Sequence, residues 1–316
     1  MTTVRNFKTI TQDAAEAVVK AAKEAARHLE SPIYKPAKTK MHVHVLGREG
    51  TLMAASQANG AWPGSDDIAT RKARTCLGFG FPSRTIGELS RPDMAAKGPL
   101  YGIELSNGGL ISFPGGIPLH DADGNLCGAI GVSGDGVDMD EKVALAGAEA
   151  FKTLQHATID LPGLTQMAAV AIAEAARVKA EATDSGLLKD KAGKLKKTRM
   201  FIHVIGVDGS VLGASGAEDA WQGSSHISLL KAKTALLFKL PTRVIGELSR
   251  PDMDAKGPLY AIEVSNDMLI SFPGGLPLMD EHGNCVGAIG VSGDAVDVDE
   301  DVAKAGVAAF NAMLKK

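Results

Sequence analysis

A chain that overlays itself has few ways to fold, and this one does so when shifted by 159 residues. The run RTIGELSRPDMAAKGPLYGIELSNGGLISFPGGIPL from Arg84 returns as RVIGELSRPDMDAKGPLYAIEVSNDMLISFPGGLPL from Arg243. From Arg84 to Gly134 and in the copy, 39 of 51 positions are identical, whereas the amino-terminal helices of the two halves share little beyond composition. The repeating unit is therefore a whole domain, 1–159 and 160–316, with Pro162 and Gly163 punctuating the joint. Each copy is long enough to bury its own core.

Both halves spell the same elements. Ala-rich amphipathic stretches at Thr11 to Glu30 and Leu164 to Thr183 predict helices. MHVHVLG and MFIHVIG alternate like strands and lead through Glu49-Gly50 and Asp208-Gly209 into second strands, a β-hairpin in each half. Ser65-Asp66 and Ser224-Ser225 read as caps of helices that end near Phe79 and Lys239, ahead of Pro82 and Pro241. Three short strands are expected at 99–106, 109–113 and 125–133, with equivalents at 258–265, 268–272 and 284–292, before closing helices from Asp138 and Asp297. The order predicts an α+β fold, a five-stranded and mainly antiparallel sheet flanked by helices, without a βαβ crossover.

The charges exclude some functions. With 34 Lys+Arg against 37 Asp+Glu the net charge is −3, and the signs are interspersed, so neither nucleic acid nor an anionic membrane is an expected partner. Aromatic residues are only 4 %, which leaves Ala, Val, Ile and Leu to build the cores. The polar N-terminus lacks the apolar run of a secretory signal, and the three cysteines, Cys76, Cys127 and Cys285, form no CxxC. A cytoplasmic setting is expected.

Charged residues unchanged between the halves mark a candidate site: Arg84, Glu88 and Arg91, with Arg243, Glu247 and Arg250. An arginine fork suits a carboxylate or phosphate, and Glu88 or Glu247 could take a proton or orient that fork; an ion-pair network that fixes a loop is the competing reading. Gly115-Gly116 and Gly274-Gly275 follow Phe-Pro in tight turns whose N–H groups could meet an anion, or serve the turn alone. His44 and His203 are equivalent and are candidate bases, against the alternative of hydrogen-bonded histidines under a helix. His42 shares a strand face with His44, a pair able to hold a metal, but Phe201 takes that option from the second copy, and no metal centre is expected. Trp62 and Trp221 recur in Gly- and Ser-rich loops, where they could close a flat pocket or pack an interface.

The helical KARTCLGF at 72–79 and KAKTALLF at 231–238, the FPGGIPL and FPGGLPL turns, and the GAIGVSGD runs at 128–135 and 287–294 together resemble the GlcG/HbpS family, also described as the haem-degrading or DUF336 family and related to the C-terminal domain of PduO-type proteins. The resemblance spans nearly all of both halves. It implies a tandem repeat of a profilin-like domain, self-association, and binding of haem or a corrinoid. Two functions follow as expectations: a small-molecule-binding protein of that type, or a catabolic lyase, isomerase or hydrolase that handles a carboxylated substrate through Arg, Glu and His. The residues leave open whether the chain is an enzyme.

Overall fold

A computed structural model describes residues 2–35, 37–93, 96–252 and 255–315. The chain divides into two compact units, Phe7–Leu161 and Pro162–Lys316, the latter joined by the segment that ends at Asn6. The division falls inside strand β1 (Val4–Ile10), which pairs with β6 (Thr158–Leu164). In the second unit Thr165 N–H donates to Thr3 O at 3.1 Å, and Thr3 Oγ1 donates to Met313 O at 3.4 Å.

In the first unit, helix α1 (Gln12–His28) starts where the Thr11 side chain accepts from Ala14 N–H, so the expected start holds. It is followed by β2 (His42–Gly47), β3 (Leu52–Gln57), α2 (Ser65–Phe79), α3 (Ser83–Ser90), β4 (Gly116–His120), β5 (Leu126–Ser133) and α4 (Val137–Thr153). The strands form an antiparallel sheet in the order β3-β2-β5-β4. Alternation sends Val43 and Val45 of β2 into one core with α1 and α4, and Leu46 to the opposite face against Ala73 and Cys76 of α2. His42 and His44 share that second face. Ala14, Ala15, Val18 and Ala22 of α1 are buried at helical spacing, as an aromatic-poor core requires.

The second unit repeats this order with α5 (Gln166–Ala182), the extra hairpin β7 (Asp184–Lys189) and β8 (Leu195–Lys197), β9 (Phe201–Gly206), β10 (Val211–Gly216), α6 (Gln222–Phe238), α7 (Thr242–Ser249), β11 (Gly275–Met279), β12 (Cys285–Ser292) and α8 (Val296–Leu314). Its sheet order is β10-β9-β12-β11. The copies are offset by 154 residues at Thr11 and Thr165 but by 159 from Thr39 and Thr198 onward, so the second copy carries five more residues where the hairpin forms.

Three expectations need correction. Ser65-Asp66 and Ser224-Ser225 are not the caps of α2 and α6, which begin after Gly64 and Trp221 with no side-chain cap bond. Each central sheet has four strands among the described residues, not five, because 99–106 and 109–113 and their equivalents are not strands. Positive φ at Gly102, Asn107, Gly108 and Gly109 breaks the extended chain, and Ile103–Leu105 closes a 3-10 turn. The short helices α3 and α7 stand where no element was expected. No helix among the described residues is long and apolar enough to cross a membrane.

Candidate functional site

Helix α3 buries Ser83, Ile86 and Ser90. Residues 84, 87, 88 and 91 follow the spacing i, i+3, i+4, i+7 and therefore share the opposite face. There they form one wall of a 590 Å³ cavity, faced by Tyr101, Glu104 and Leu105 of the 3-10 turn and by Ser112, Phe113 and Pro114. A Cβ on Gly87 would lie 2.3 Å from Ser112 O, so only glycine lets the two walls approach this closely. The second unit builds the same wall from Arg243, Gly246, Glu247 and Arg250, but its cavity measures 290 Å³.

The two arginines of this face do different things. Arg84 donates from Nε and Nη2 to the Glu141 carboxylate at 2.6–2.9 Å, and from Nη2 to Asp138 at 2.7 Å, both on α4. Hydrogen bonds to these carboxylates raise its pKa above the ordinary guanidinium value. Arg243 repeats the arrangement with Asp297 at 2.5 Å and Glu300 at 2.6 Å. Here the ion-pair reading describes what the fork does. Arg91 instead lies over the Tyr101 ring at 5.0 Å, with Lys97 at 4.6 Å from the same ring; Arg250 and Lys256 treat Tyr260 alike.

Between them, Glu104 accepts from Ser112 Oγ at 2.5 Å and Ser90 Oγ at 3.0 Å. Burial alone would raise its pKa, but the two hydroxyls, its own backbone N–H and the Arg91 charge outweigh burial and hold it below the usual carboxylate value. Behind Phe113, Lys72 is fully buried and donates to Asp140 Oδ2 at 2.7 Å and to Val132 O at 2.8 Å, with the Phe113 ring 4.7 Å from Nζ. Burial pushes the Lys72 pKa down and the Asp140 pKa up, each against the pull of its partner.

The remaining candidates lie elsewhere. Gly115 and Gly116 are buried and do not line the cavity. Gly116 N–H donates to Ser83 Oγ at 2.9 Å, and Gly275 N–H donates to Thr242 Oγ1 at 2.9 Å, so neither is available to an anion. A Cβ on Gly115 would meet Lys72 Nζ and Val132 O, both at 2.6 Å; on Gly274 it would meet Lys231 Nζ at 2.7 Å and Val291 O at 2.6 Å. The turns thus wrap the buried lysines, and Gly115, Gly116, Gly274 and Gly275, read from the sequence as ligand-binding, stand outside the lining of both cavities. His44 and His203 lie on the sheet face under α2 and α6, 2.7 Å from Thr70 Oγ1 and Ser228 Oγ, and neither lines the cavity of its unit. Burial lowers both imidazole pKa values below 6.5. The expected partnership of His44 with Glu88, and of His203 with Glu247, is not formed. Trp62 packs against Tyr34, ring centroids 5.4 Å apart, and does not line the cavity.

Tyr101, Glu104 and Lys72 were not singled out from the sequence. All three recur, as Tyr260, Glu263 and Lys231, within the repeated segments, and that identity is the signal that marks them.

Two α+β units of this kind, each with the KA helix, the FPGG turn and the GAIGVSGD strand, define a tandem member of one family. The family model described as haem degrading protein HbpS-like matches residues 10–149 and again 164–308, and the chain belongs to that family in two tandem copies. Among curated relatives, the chain is 31 % identical over 113 residues to an uncharacterised 15.0 kDa protein of the dhaT-dhaS intergenic region of Citrobacter freundii, covering 35 % of this chain and 76 % of that one. It is 27 % identical over 140 residues to the corrinoid adenosyltransferase PduO of Salmonella typhimurium, covering 44 % of this chain and only 38 % of that protein. Among solved structures, it is similar to the Klebsiella pneumoniae protein ORFY at 26 % identity and a TM-score of 0.41, covering 48 % of this chain and 95 % of that one.

Proposed function

We propose that the chain is a small-molecule-binding protein that takes haem in the cavity of its first unit, Arg91 meeting a propionate while Leu105, Phe113 and Pro114 face the macrocycle. The observation that carries the reading is the 590 Å³ cavity, in which an apolar wall stands beside an arginine held against Tyr101; membership of a family described as haem-degrading supports it. The donor set fits the group. Among the described lining residues Tyr101 is the only side chain of a type that serves as an axial haem ligand. The 290 Å³ counterpart lies at the lower edge of ligand-sized pockets, so the first unit carries the site.

The alternative of an enzyme acting on a carboxylated substrate depended on Glu88 working with His44. With the imidazole under α2 and absent from the lining, it has no support in the geometry.

Titration with haem, followed by its Soret difference spectrum, tests the proposal. The expected result is saturable binding of one haem per chain, weakened in Arg91→Ala. A corrinoid whose side chains are amides is the comparison ligand, and the arginine contact requires haem to bind more tightly. Absence of a saturable Soret change overturns the reading. Self-association belongs to the same proposal, since fusing two copies of a self-associating domain leaves surfaces that can pair under closed symmetry. Light scattering at the 32.8 kDa mass of one chain at every concentration would remove that part.

A further inference from the structure

We infer that the first unit carries a divalent transition-metal site built from His42, His44 and Asp66, and that the second unit has lost it. The period of strand β2 places both imidazoles on the sheet face beneath α2, and Asp66, in the first turn of that helix, reaches back to them. His42 Nδ1 lies 3.2 Å and His44 Nε2 3.1 Å from the same Asp66 oxygen, and the three donor atoms fall within 4.8 Å of one another. Ligand bonds of about 2.0–2.1 Å in a tetrahedral zinc site imply donor–donor separations of about 3.3 Å, close to the two measured.

Hydrogen-bond accounting points the same way. An ionised carboxylate only accepts, and a neutral imidazole has one proton. In the second unit Ser228 gives its hydroxyl proton to Ser225 O at 2.9 Å, so His203 donates to Ser228 from Nδ1 and leaves Nε2 as a lone pair. Thr70 and His44 repeat this arrangement, with Thr70 Oγ1 2.7 Å from His44 Nδ1 and 3.4 Å from Asp66 O. With the same tautomer, the His44 Nε2 lone pair would face a carboxylate oxygen 3.1 Å away, a contact that a cation between them turns into coordination. Thr70 at the far nitrogen fixes the tautomer, as partners of metal-binding histidines do.

The repeat supplies the control. The positions of His42, His44 and Asp66 return as Phe201, His203 and Ser225, and the second unit keeps its sheet and helix without two of the three ligands. The fold therefore does not require His42 or Asp66. Two imidazoles and one carboxylate select zinc, cobalt or nickel over magnesium or calcium.

The test uses the full chain freed of metal by chelator, titrated with Zn(II) by calorimetry and with Co(II) by visible absorption. One equivalent per chain is expected, with Co(II) bands of a low-coordinate site and no saturable uptake of Mg(II). His42→Phe and Asp66→Ser each install the residue of the second copy; both should remain folded by circular dichroism and bind at least tenfold more weakly, while His203→Ala keeps the equivalent. Thr70→Val should weaken binding by about tenfold. No saturable uptake, an equivalent retained in both His42→Phe and Asp66→Ser, or equal uptake of Mg(II) overturns the inference.

Discussion

Lys72 Nζ lies 2.7 Å from Asp140 Oδ2 with both side chains shut away from solvent, and Lys231 and Asp299 repeat the pair at the same distance. The pair ties α2 to the start of α4 and carries the Phe113 ring, so the cavity wall rests on a buried charge. Removing one partner strands the other. Asp140→Ala should lower stability by about 3–5 kcal/mol, and the double change Lys72→Met with Asp140→Ala should lower it less. Urea denaturation of both variants measures this, and a loss below about 1 kcal/mol in the single variant contradicts the account.

Gly115 has φ 122° and Gly274 the same, and a side chain at either position would press on the buried lysine and a strand carbonyl. Gly115→Ala should therefore cost about 2 kcal/mol or more, through strain and the clash together. Gly50→Ala, which meets nothing within 4 Å but also has positive φ (83°), isolates the backbone part. Melting temperatures that fall equally for both would show that the close packing contributes nothing.

The two arginines of α3 should separate by function. Arg84→Ala breaks a network that is partly open to solvent and should cost only about 0.5–1 kcal/mol of stability, leaving haem affinity per folded molecule unchanged. Arg91→Ala should do the reverse, weakening haem about tenfold with little change in melting temperature. Equal affinities in the two variants would sink the propionate assignment.

Burial holds the His203 pKa below 6.5, so the unfolded chain takes up this proton at a higher pH than the folded one. The contribution of the neutral ring is fully present above about pH 6.5 and is lost as pH falls below it. His203→Gln should flatten the stability profile between about pH 7 and 5 relative to the wild type. Unchanged slopes in parallel denaturation series would show that the imidazole does not titrate differently on folding.

Much of the architecture was legible because it depends on local signals. The helix start at Thr11, Phe79 ahead of Pro82, and the alternation of His42 to Leu46 are each set within a few residues. Helix α3 was missed because eight residues after a proline, with Gly87 in the middle, carry too little periodicity. The segment 99–113 has strand-forming residues, but four positive-φ positions turn it back on itself. Lys72 sits on an amphipathic helix, where lysine ordinarily points to water, and its partner is 68 positions away. Asp66 stands 24 positions from His42, so only the packing of α2 on the sheet brings the carboxylate to the imidazoles.

The segment Thr2–Asn6 emerges from the ribosome ahead of all of Phe7–Leu161, yet its partners Thr165 and Met313 are synthesised after it. At roughly 5–20 residues per second, the strand waits on the order of ten seconds or more for its seat, during which the first unit is complete and can fold. The chain thus carries the Thr2–Asn6 segment ahead of its partners through the first half of its own synthesis, and the second half ends that wait.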